Sequence, residues 1–317
     1  MSLSAYVVQS LNRIIPFILA VVAGSCGNSH LLKEVKKLEQ YPSASGIEYL
    51  DKQTYIIGDD ASSILVLDTN LAIIDSIQLY SFTEKRIPKA IKPDLESITL
   101  TGDNKLLLLG SGSLAPTRNI AWLIDPKTKQ KDSIRLDTFY QRLKLNGISE
   151  INIEGSCAIP GYILMANRGS KGYPKNHVLF TRTGFLNLQA QSPITTILIG
   201  TNTDSSQFSG VSGMVYAKRS DQLILTISTE DTRNTLDDGA IGKSYLWIVK
   251  NISGKRNWKA INPDQVIDLD ELDQRFKGQK IESVCITKET DDFFHLLLAA
   301  DNDNGSSTLF KLVVHKK

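Results

Sequence analysis

Acidic residues recur at the start of similar segments along this 317-residue chain. Each segment places an apolar residue before an acid and a β-rich run after it, and the fourth copy has serine in place of glutamate. The repeated positions are Glu48, Glu96, Glu154, Ser212 and Glu282. Carboxylate and hydroxyl oxygens are hard ligands, and Ca2+ takes six to eight of them at roughly 2.3 to 2.6 Å. A fold that brings these positions together therefore makes a candidate calcium site.

The segments that follow each acid indicate the elements that must position it. A second apolar strand, a polar loop and a third strand come after every start, and a fourth strand completes all but the last copy. Four antiparallel strands repeated about every 50 residues are typical of a β-propeller blade. The five copies predict an all-β fold, a five-bladed β-propeller. The alternative is a two-sheet β-sandwich, which also alternates strands and turns but gives no reason for the repeated acid.

The strand missing from the last copy has a candidate at the other end of the chain. The segment Leu31–Leu38 is apolar enough for a strand and stands alone before the first copy. As the fourth strand of the last blade it would close the ring and remove exposed sheet edges. We therefore expect residues 31–317 to form one propeller domain.

In a propeller the first strands line the central channel, so the repeated acids are expected to converge near one mouth of it. Four carboxylates that lie this close cannot all stay ionised unaided. A bound cation would stabilise them, and the oxygen ligands favour Ca2+. Protonation of some carboxyls, or a water-filled channel in which glutamates cap neighbouring strand amides, are the alternatives.

The loops after the second strands share the face on which the first strands begin, and all five are polar. Binding residues are often found on loops that a rigid scaffold positions. The candidates on this upper face are Asp59, Asp60, Arg168, Lys171, Glu230 and Asp231. Aspartate, asparagine and glycine also populate turns for backbone reasons, so ordinary turn chemistry is the alternative for each of them.

The motifs Gly46-Ile-Glu48, Glu154-Gly-Ser-Cys157 and Val211-Ser212, with the loop acids after them, resemble the soluble calcium-activated nucleotidases, or apyrases. These are five-bladed propellers with a central calcium. The resemblance implies that the repeated Glu and Ser positions hold the metal and that the upper loops bind and hydrolyse a nucleotide. Ala61 and Asn167 stand where the family pattern leads one to expect arginines. The chain is equally similar to exported propellers of the phytase-like and SdiA-regulated kind.

Two functions of different classes follow. The first is a binding module whose upper face, stiffened by a central cation, holds a small molecule or a protein partner. The second is a Ca2+-dependent phosphoester hydrolase of nucleotidase or phytase type. In the hydrolase Asp60 or Asp231 would orient water, and Arg168 and Lys171 would bind phosphate. Asp59 and Glu230 would add to the binding surface.

The N-terminal segment predicts export and a lipid anchor. Arg13 precedes an apolar run of about ten residues, which is too short to span a bilayer and fits a secretory signal. Ala23-Gly24-Ser25-Cys26 resembles the lipobox of bacterial lipoproteins, which implies a signal peptide over 1–25, acylation of Cys26 and a linker over 26–30. We expect a protein held by its lipid on a membrane of the bacterial cell envelope. A plain secretory signal or a short N-terminal anchor is the alternative.

Composition and spacing argue against other classes. The 36 basic and 34 acidic residues are spread along the chain without a basic stripe, so nucleic acid is not expected as a partner. Cys157 and Cys285 lie outside any CxxC or Cys/His cluster, which disfavours zinc. These two cysteines follow the repeated acid at the same distance in the third and fifth copies. Such blades are not neighbours, so no disulfide is expected between them.

Overall fold

The computed structural model describes residues 30–82, 84–200, 208–230, 241–301 and 305–317. Over these residues the chain forms five small sheets. The first strand of each sheet lies beside the first strands of two other sheets, and the five contacts close a ring. The predicted all-β, five-bladed propeller is confirmed.

The strands follow one another blade by blade along the chain. Strand β1 (His30–Leu38) comes before the first blade. Blade 1 holds β2 (Ala44–Leu50), β3 (Gln53–Gly58), β4 (Ser63–Leu67) and β5 (Ile73–Gln78), and blade 2 holds β6 (Leu95–Leu100), β7 (Leu106–Gly110), β8 (Ile120–Ile124) and β9 (Lys131–Arg135). Blade 3 holds β10 (Ile153–Ile159), β11 (Tyr162–Asn167), β12 (Asn176–Arg182) and β13 (Thr195–Ile199). Blade 4 holds β14 (Gly210–Ala217), β15 (Gln222–Glu230) and β16 (Ile241–Lys250). The short β17 (Ala260–Ile261) pairs in parallel with β13 of blade 3, and β18 (Gln265–Asp268) completes blade 4. Blade 5 holds β19 (Lys280–Glu289), β20 (Phe293–Asp301) and β21 (Ser307–His315).

Strand β1 supplies the fourth strand of blade 5, as the sequence predicts. It pairs antiparallel with β21, from His30 opposite Val314 to Leu38 opposite Ser307. Its buried residue Leu32 joins Phe310 and Leu312 in the core between blades 4 and 5. The first and last strands of the propeller therefore close the ring through hydrogen bonds and a shared core.

The apolar side chains pack between neighbouring blades. Five clusters of buried residues fill the five gaps between successive sheets. One gap also takes helix α1 (Asp137–Leu145), which buries Phe139, Tyr140 and Leu143 between blades 2 and 3. Helix α2 (Leu269–Leu272) is a single turn that follows β18. In the parts of the chain described, no helix is long and apolar enough to cross a membrane.

Each inner strand carries a β-bulge close to its start. In blade 1 Ala44 lies opposite Gly58 and Gly46 lies opposite Ile57, which leaves Ser45 as the extra residue. The same break in register occurs in the other four blades. A bulge re-aims the extra side chain while the strand continues. The bulged residues are Ser45, Glu96, Glu154, Ser212 and Glu282.

This register corrects the predicted place of Glu48. The residue at the bulge of blade 1 is Ser45, and Glu48 lies three residues further along β2, opposite Tyr55. Its structural equivalents are Cys157 in blade 3 and Cys285 in blade 5, which are also three residues beyond their bulges. Both cysteines are buried free thiols, in agreement with the prediction that they do not pair.

The pairing of β1 makes a prediction about unfolding. The side chain of Leu32 is 5% exposed and that of its neighbour Leu31 is 48% exposed. Leu32→Ala should lower the free energy of unfolding in urea by about 2 to 4 kcal/mol, since it leaves a cavity in the core between blades. Leu31→Ala, the matched control, should change it by less than about 0.5 kcal/mol. Equal effects of the two substitutions would contradict the register of the closing strand.

Candidate functional site

The inner strands begin at one end of the central channel, which we call the upper mouth. Charged side chains line this mouth. The bulges bring Glu96, Glu154 and Glu282 to this level from three blades. Burial raises the pKa of Glu96 and that of Glu154, and neighbouring carboxylates raise them further, since Glu154 acts on Glu96 and Glu282 acts on Glu154. The ring predicted from the sequence is therefore present with three glutamates.

The other two blades place serines at the same level, and these bind to protein. The Oγ of Ser45 donates a hydrogen bond to the carbonyl of Leu95 at 2.5 Å. The Oγ of Ser212 donates to the carbonyl of Ile281 at 2.6 Å. Each acceptor lies just before the bulge of the next blade. The serines thus connect inner strands of neighbouring blades, and in this structure their hydroxyl protons are used for that contact.

A compact group of carboxylates lies where blades 1 and 2 meet. Oxygens of Asp59, Asp94 and Glu96 all lie within 4.8 Å of one another. Asp59 comes from the loop after β3, and Asp94 lies two residues before the bulge of β6. Asp94 has a φ of 54°, in the left-handed region that aspartate tolerates better than most residues. Oxygen atoms in such an arrangement are suitable ligands for a hard cation.

Cationic side chains of the chain itself bind this group. The ammonium of Lys92 contacts Asp59 and lies 2.7 Å from Asp94 Oδ1. The guanidinium of Arg118 lies 2.7 Å from Asp94 Oδ2, which also accepts a hydrogen bond from Ser111 Oγ at 2.5 Å. Asp94 is therefore well compensated, whereas Asp59 Oδ1 is buried with no hydrogen-bond partner among the residues described.

The glutamates of blades 3 and 5 each lie near one basic residue. Arg168 Nη1 lies 3.9 Å from Glu154 Oε1, and Asn152 Nδ2 donates to the same oxygen at 2.5 Å. Gly210 makes room for this arginine, since a Cβ there would lie 2.3 Å from Arg168 Nε. Lys280 Nζ lies 2.9 Å from Glu282 Oε1. The other oxygen of Glu282 is buried without a hydrogen-bond partner in the described part of the chain.

Burial makes the mouth hold protons that exposed carboxyls would lose. Desolvation raises the pKa of Asp59 to about 6 and that of Glu154 to about 8, in spite of Lys92 and Arg168. Burial, together with Asp94 and Glu154, raises the pKa of Glu96 well above its ordinary value. The basic residues of the chain therefore compensate the acidic charge only in part.

Of the predicted catalytic residues, Asp60 and Arg168 are described, and each lies beside an oppositely charged side chain of the protein. Asp60 is buried, and its Oδ2 accepts a hydrogen bond from Arg86 Nε at 2.5 Å. Arg168 is buried beside Glu154, while Lys171 is partly exposed on the loop that follows it. Asp231 and the side chain of Glu230 lie outside the residues that the structure describes.

Sequence reasoning missed Asp94 and the basic residues Lys92, Arg118 and Lys280. Asp94 and Lys280 could have been found from the sequence, because a polar residue stands two positions before the bulged acid in three blades. The three motifs are Asp94-Leu-Glu96, Asn152-Ile-Glu154 and Lys280-Ile-Glu282. In the structure Asp94 lies in the carboxylate group with Glu96, and Lys280 contacts Glu282. Arg118 lies in the loop after β7, and no spacing links it to the ring.

Glu48 lies towards the opposite end of the channel, which we call the lower mouth. Its Oε2 accepts a hydrogen bond from the amide of Leu100, the last residue of β6, at 3.1 Å. The amide of Tyr49 donates to Oε1 at 2.9 Å. Glu96, by contrast, lies at the start of β6, so the length of that strand separates the two carboxyls.

Comparisons with known proteins identify a family and a fold. Residues 40–314 match the model of a family described as a family of unknown function, DUF6929. No curated protein matches the chain in sequence. The structure is similar to that of glutaminyl cyclase from Myxococcus xanthus, with a TM-score of 0.55, 7% identity and coverage of 91% of this chain and 97% of that one. Virginiamycin B lyase from Staphylococcus aureus gives a TM-score of 0.41 and 14% identity, with coverage of 90% and 99%. The likeness to the glutaminyl cyclase concerns the fold alone.

The protonated carboxyls predict that stability falls as pH rises. The pKa of Glu154 is about 8 in the folded protein, against about 4.3 for an unfolded glutamate. The folded state binds this proton more tightly, so the stabilisation is present below the unfolded pKa and is lost as pH rises through about 8. In Glu154→Gln, urea unfolding from pH 5 to 9 should show a smaller loss of stability than the wild type.

A control for this prediction lies at the far end of β19, away from the upper mouth. Although burial opposes it, hydrogen bonds from Lys316 and Ser220 hold the pKa of Glu289 below its usual range. Glu289→Gln should therefore leave the slope between pH 5 and 9 unchanged. A slope in Glu154→Gln equal to that of the wild type would show that Glu154 is already ionised at neutral pH.

Proposed function

Because the chain belongs to the DUF6929 family, whose description assigns no activity, we propose a function from the geometry of the upper mouth: this propeller is a binding module whose ligand includes a cation. The observation that carries the proposal is the group of Asp59, Asp94 and Glu96, with oxygens within 4.8 Å of one another. Ca2+ is the metal that such oxygen ligands suit best. Its chemistry there would be charge compensation and the ordering of the loops around the mouth.

The unpartnered acceptors support a ligand that carries positive charge. Asp59 Oδ1, Asp60 Oδ1 and Glu282 Oε2 are buried acceptors without hydrogen-bond partners in the described ranges. A buried polar atom left without a partner costs about 1 to 3 kcal/mol, and more when it is charged. A cation, or a ligand bearing ammonium or hydroxyl groups, would relieve this cost.

Lys92 determines how a metal could bind. Although burial opposes its charge, Asp59 and Asp94 keep the pKa of this ammonium above its ordinary value. Its contacts with both aspartates compete with any metal for the same oxygens. A divalent ion would therefore displace the lysine from Asp59 while Arg118 continues to bind Asp94.

The Ca2+-dependent hydrolase stays a prediction. Phosphate binding would need accessible guanidinium or ammonium groups facing the mouth. Arg168 is buried with its side chain near Glu154, and Arg86 is paired with Asp60. We therefore base the proposal on binding rather than on catalysis.

Metal addition tests the proposal. After treatment with chelator, saturating Ca2+ should raise the unfolding temperature by on the order of 5 °C, because a ligand that binds only the folded state stabilises it. Glu96→Gln should lose most of this shift. Lys92→Met should keep the shift or enlarge it, since the competing ammonium is gone.

Glu48→Gln is the matched control, because this glutamate lies in the same channel but towards its lower mouth. It should retain the full calcium shift. A calcium shift lost in Glu48→Gln and kept in Glu96→Gln would contradict the site proposed here. The absence of a shift with both Ca2+ and Mg2+ would contradict a divalent metal altogether.

We also propose that the protein is exported and held on a membrane by a lipid on Cys26, which lies outside the described residues. Strand β1 is the outer strand of blade 5 and begins at His30, opposite Val314, on the same face of the propeller as the lower mouth, so the upper mouth would point away from the lipid. Cys26→Ala protein in its bacterial host should leave the membrane fraction and lose labelling by a palmitate analogue. Unchanged labelling would reject the lipid anchor.

A further inference from the structure

A pocket opens at the lower mouth of the channel. It has a volume of about 400 Å³, which is within the range of small-molecule sites, about 300 to 1,000 Å³. All five blades contribute to its wall, through Glu48, Leu100, Cys157, Val215 and Ile286 among others. The pocket is thus a product of the ring closure and lies at the opposite end of the inner strands from the charged mouth.

The wall is mainly apolar and contains one carboxyl group. Leu100, Val215, Ile286 and the turn at Pro160 line it with hydrocarbon. Glu48 is the acidic residue among the lining residues. Each of its oxygens accepts one backbone hydrogen bond, from Tyr49 and from Leu100. Because a carboxylate offers about four acceptor positions, capacity remains for a ligand.

The other polar lining groups do not neutralise this carboxyl through any contact described. Burial raises the pKa of the Cys157 thiol far above its usual value, so it remains uncharged. The hydroxyl of Tyr216 donates to Asp221 at 3.1 Å. Lys218 is exposed at the rim, where water screens its charge. Burial raises the pKa of Glu48 itself to about 7, as expected for a carboxyl without a cationic partner.

We propose that the lower mouth binds a small organic cation: a primary or secondary ammonium group that pairs with Glu48, carried on an apolar body that fills the pocket. An ammonium group keeps Glu48 ionised and donates to its remaining acceptor positions. The hydrocarbon wall adds affinity in proportion to the apolar surface that the ligand buries. This site is independent of the metal proposed at the upper mouth.

Tryptamine and its uncharged analogue tryptophol are matched probes, because they differ in the ammonium group and share the indole ring. Isothermal titration at pH 7.5 should show binding of tryptamine to the wild type with a Kd at least tenfold lower than that of tryptophol. Glu48→Gln should weaken tryptamine binding at least tenfold and leave tryptophol binding within twofold.

Two further variants test whether the probes bind in this pocket and whether a change at the upper mouth affects their binding. Val215→Trp should block both probes, since its side chain would occupy the pocket. Glu96→Gln, in the upper mouth, should bind both probes as the wild type does. Three results would overturn the proposal. Tryptamine binding would be undetectable at millimolar concentration, or it would equal tryptophol binding, or it would be unchanged in Glu48→Gln. Loss of binding in Glu96→Gln alone would assign the amine to the upper mouth.

Discussion

Convergence of the five inner strands on one axis is the constraint on which the rest of the structure depends. A bulge at the start of each strand turns one side chain toward the upper mouth, and three of these side chains are glutamates. Their repulsion cannot be relieved by moving apart, because closure of the ring fixes the blades. The chain compensates with lysines and arginines from nearby positions and with protons retained by buried carboxyls.

The two ends of the channel differ in the side chains that line them: three glutamates lie at the upper mouth, and mainly hydrocarbon with one glutamate lines the lower pocket. At the upper mouth the carboxylates of Asp94 and Glu96 lie close together, while at the lower end the amide of Leu100 donates a hydrogen bond to Glu48. Closure by β1 holds both ends in place, since blade 5 touches blade 1 on one side and blade 4 on the other. A single scaffold thus offers a charged mouth and an apolar one.

Much of the fold could be predicted because a propeller repeats its pattern. The apolar strands, the polar upper loops and the lone segment before the first copy were sufficient to predict five blades and their closing strand. Glu96, Glu154 and Glu282 follow the same pattern, and the structure places all three at the upper mouth. The bulged residue of blade 1 is a serine, however, and Gly46-Ile-Glu48 imitates the motif three residues later. A bulge leaves no mark in composition, so this offset could not be read from one sequence.

The remaining features depend on loops and on tertiary packing. Lys92 lies in the segment before blade 2, and Arg118 binds Asp94 from the loop after β7 of that blade. Helix α1 interrupts the β pattern between blades 2 and 3, where its three buried residues complete a core that strands alone would leave open. Such contacts bring together residues that no periodic pattern connects.

The upper mouth is short of positive charge and holds protons that a bound cation would displace. Calorimetric titration of Ca2+ at pH 7 in buffers of different ionisation enthalpy counts the protons released on binding. Because Glu96 and Glu154 have raised pKa values, binding should release protons, and Glu154→Gln should release fewer. Calcium binding without proton release, or with the same release in Glu154→Gln, would contradict this account of the mouth.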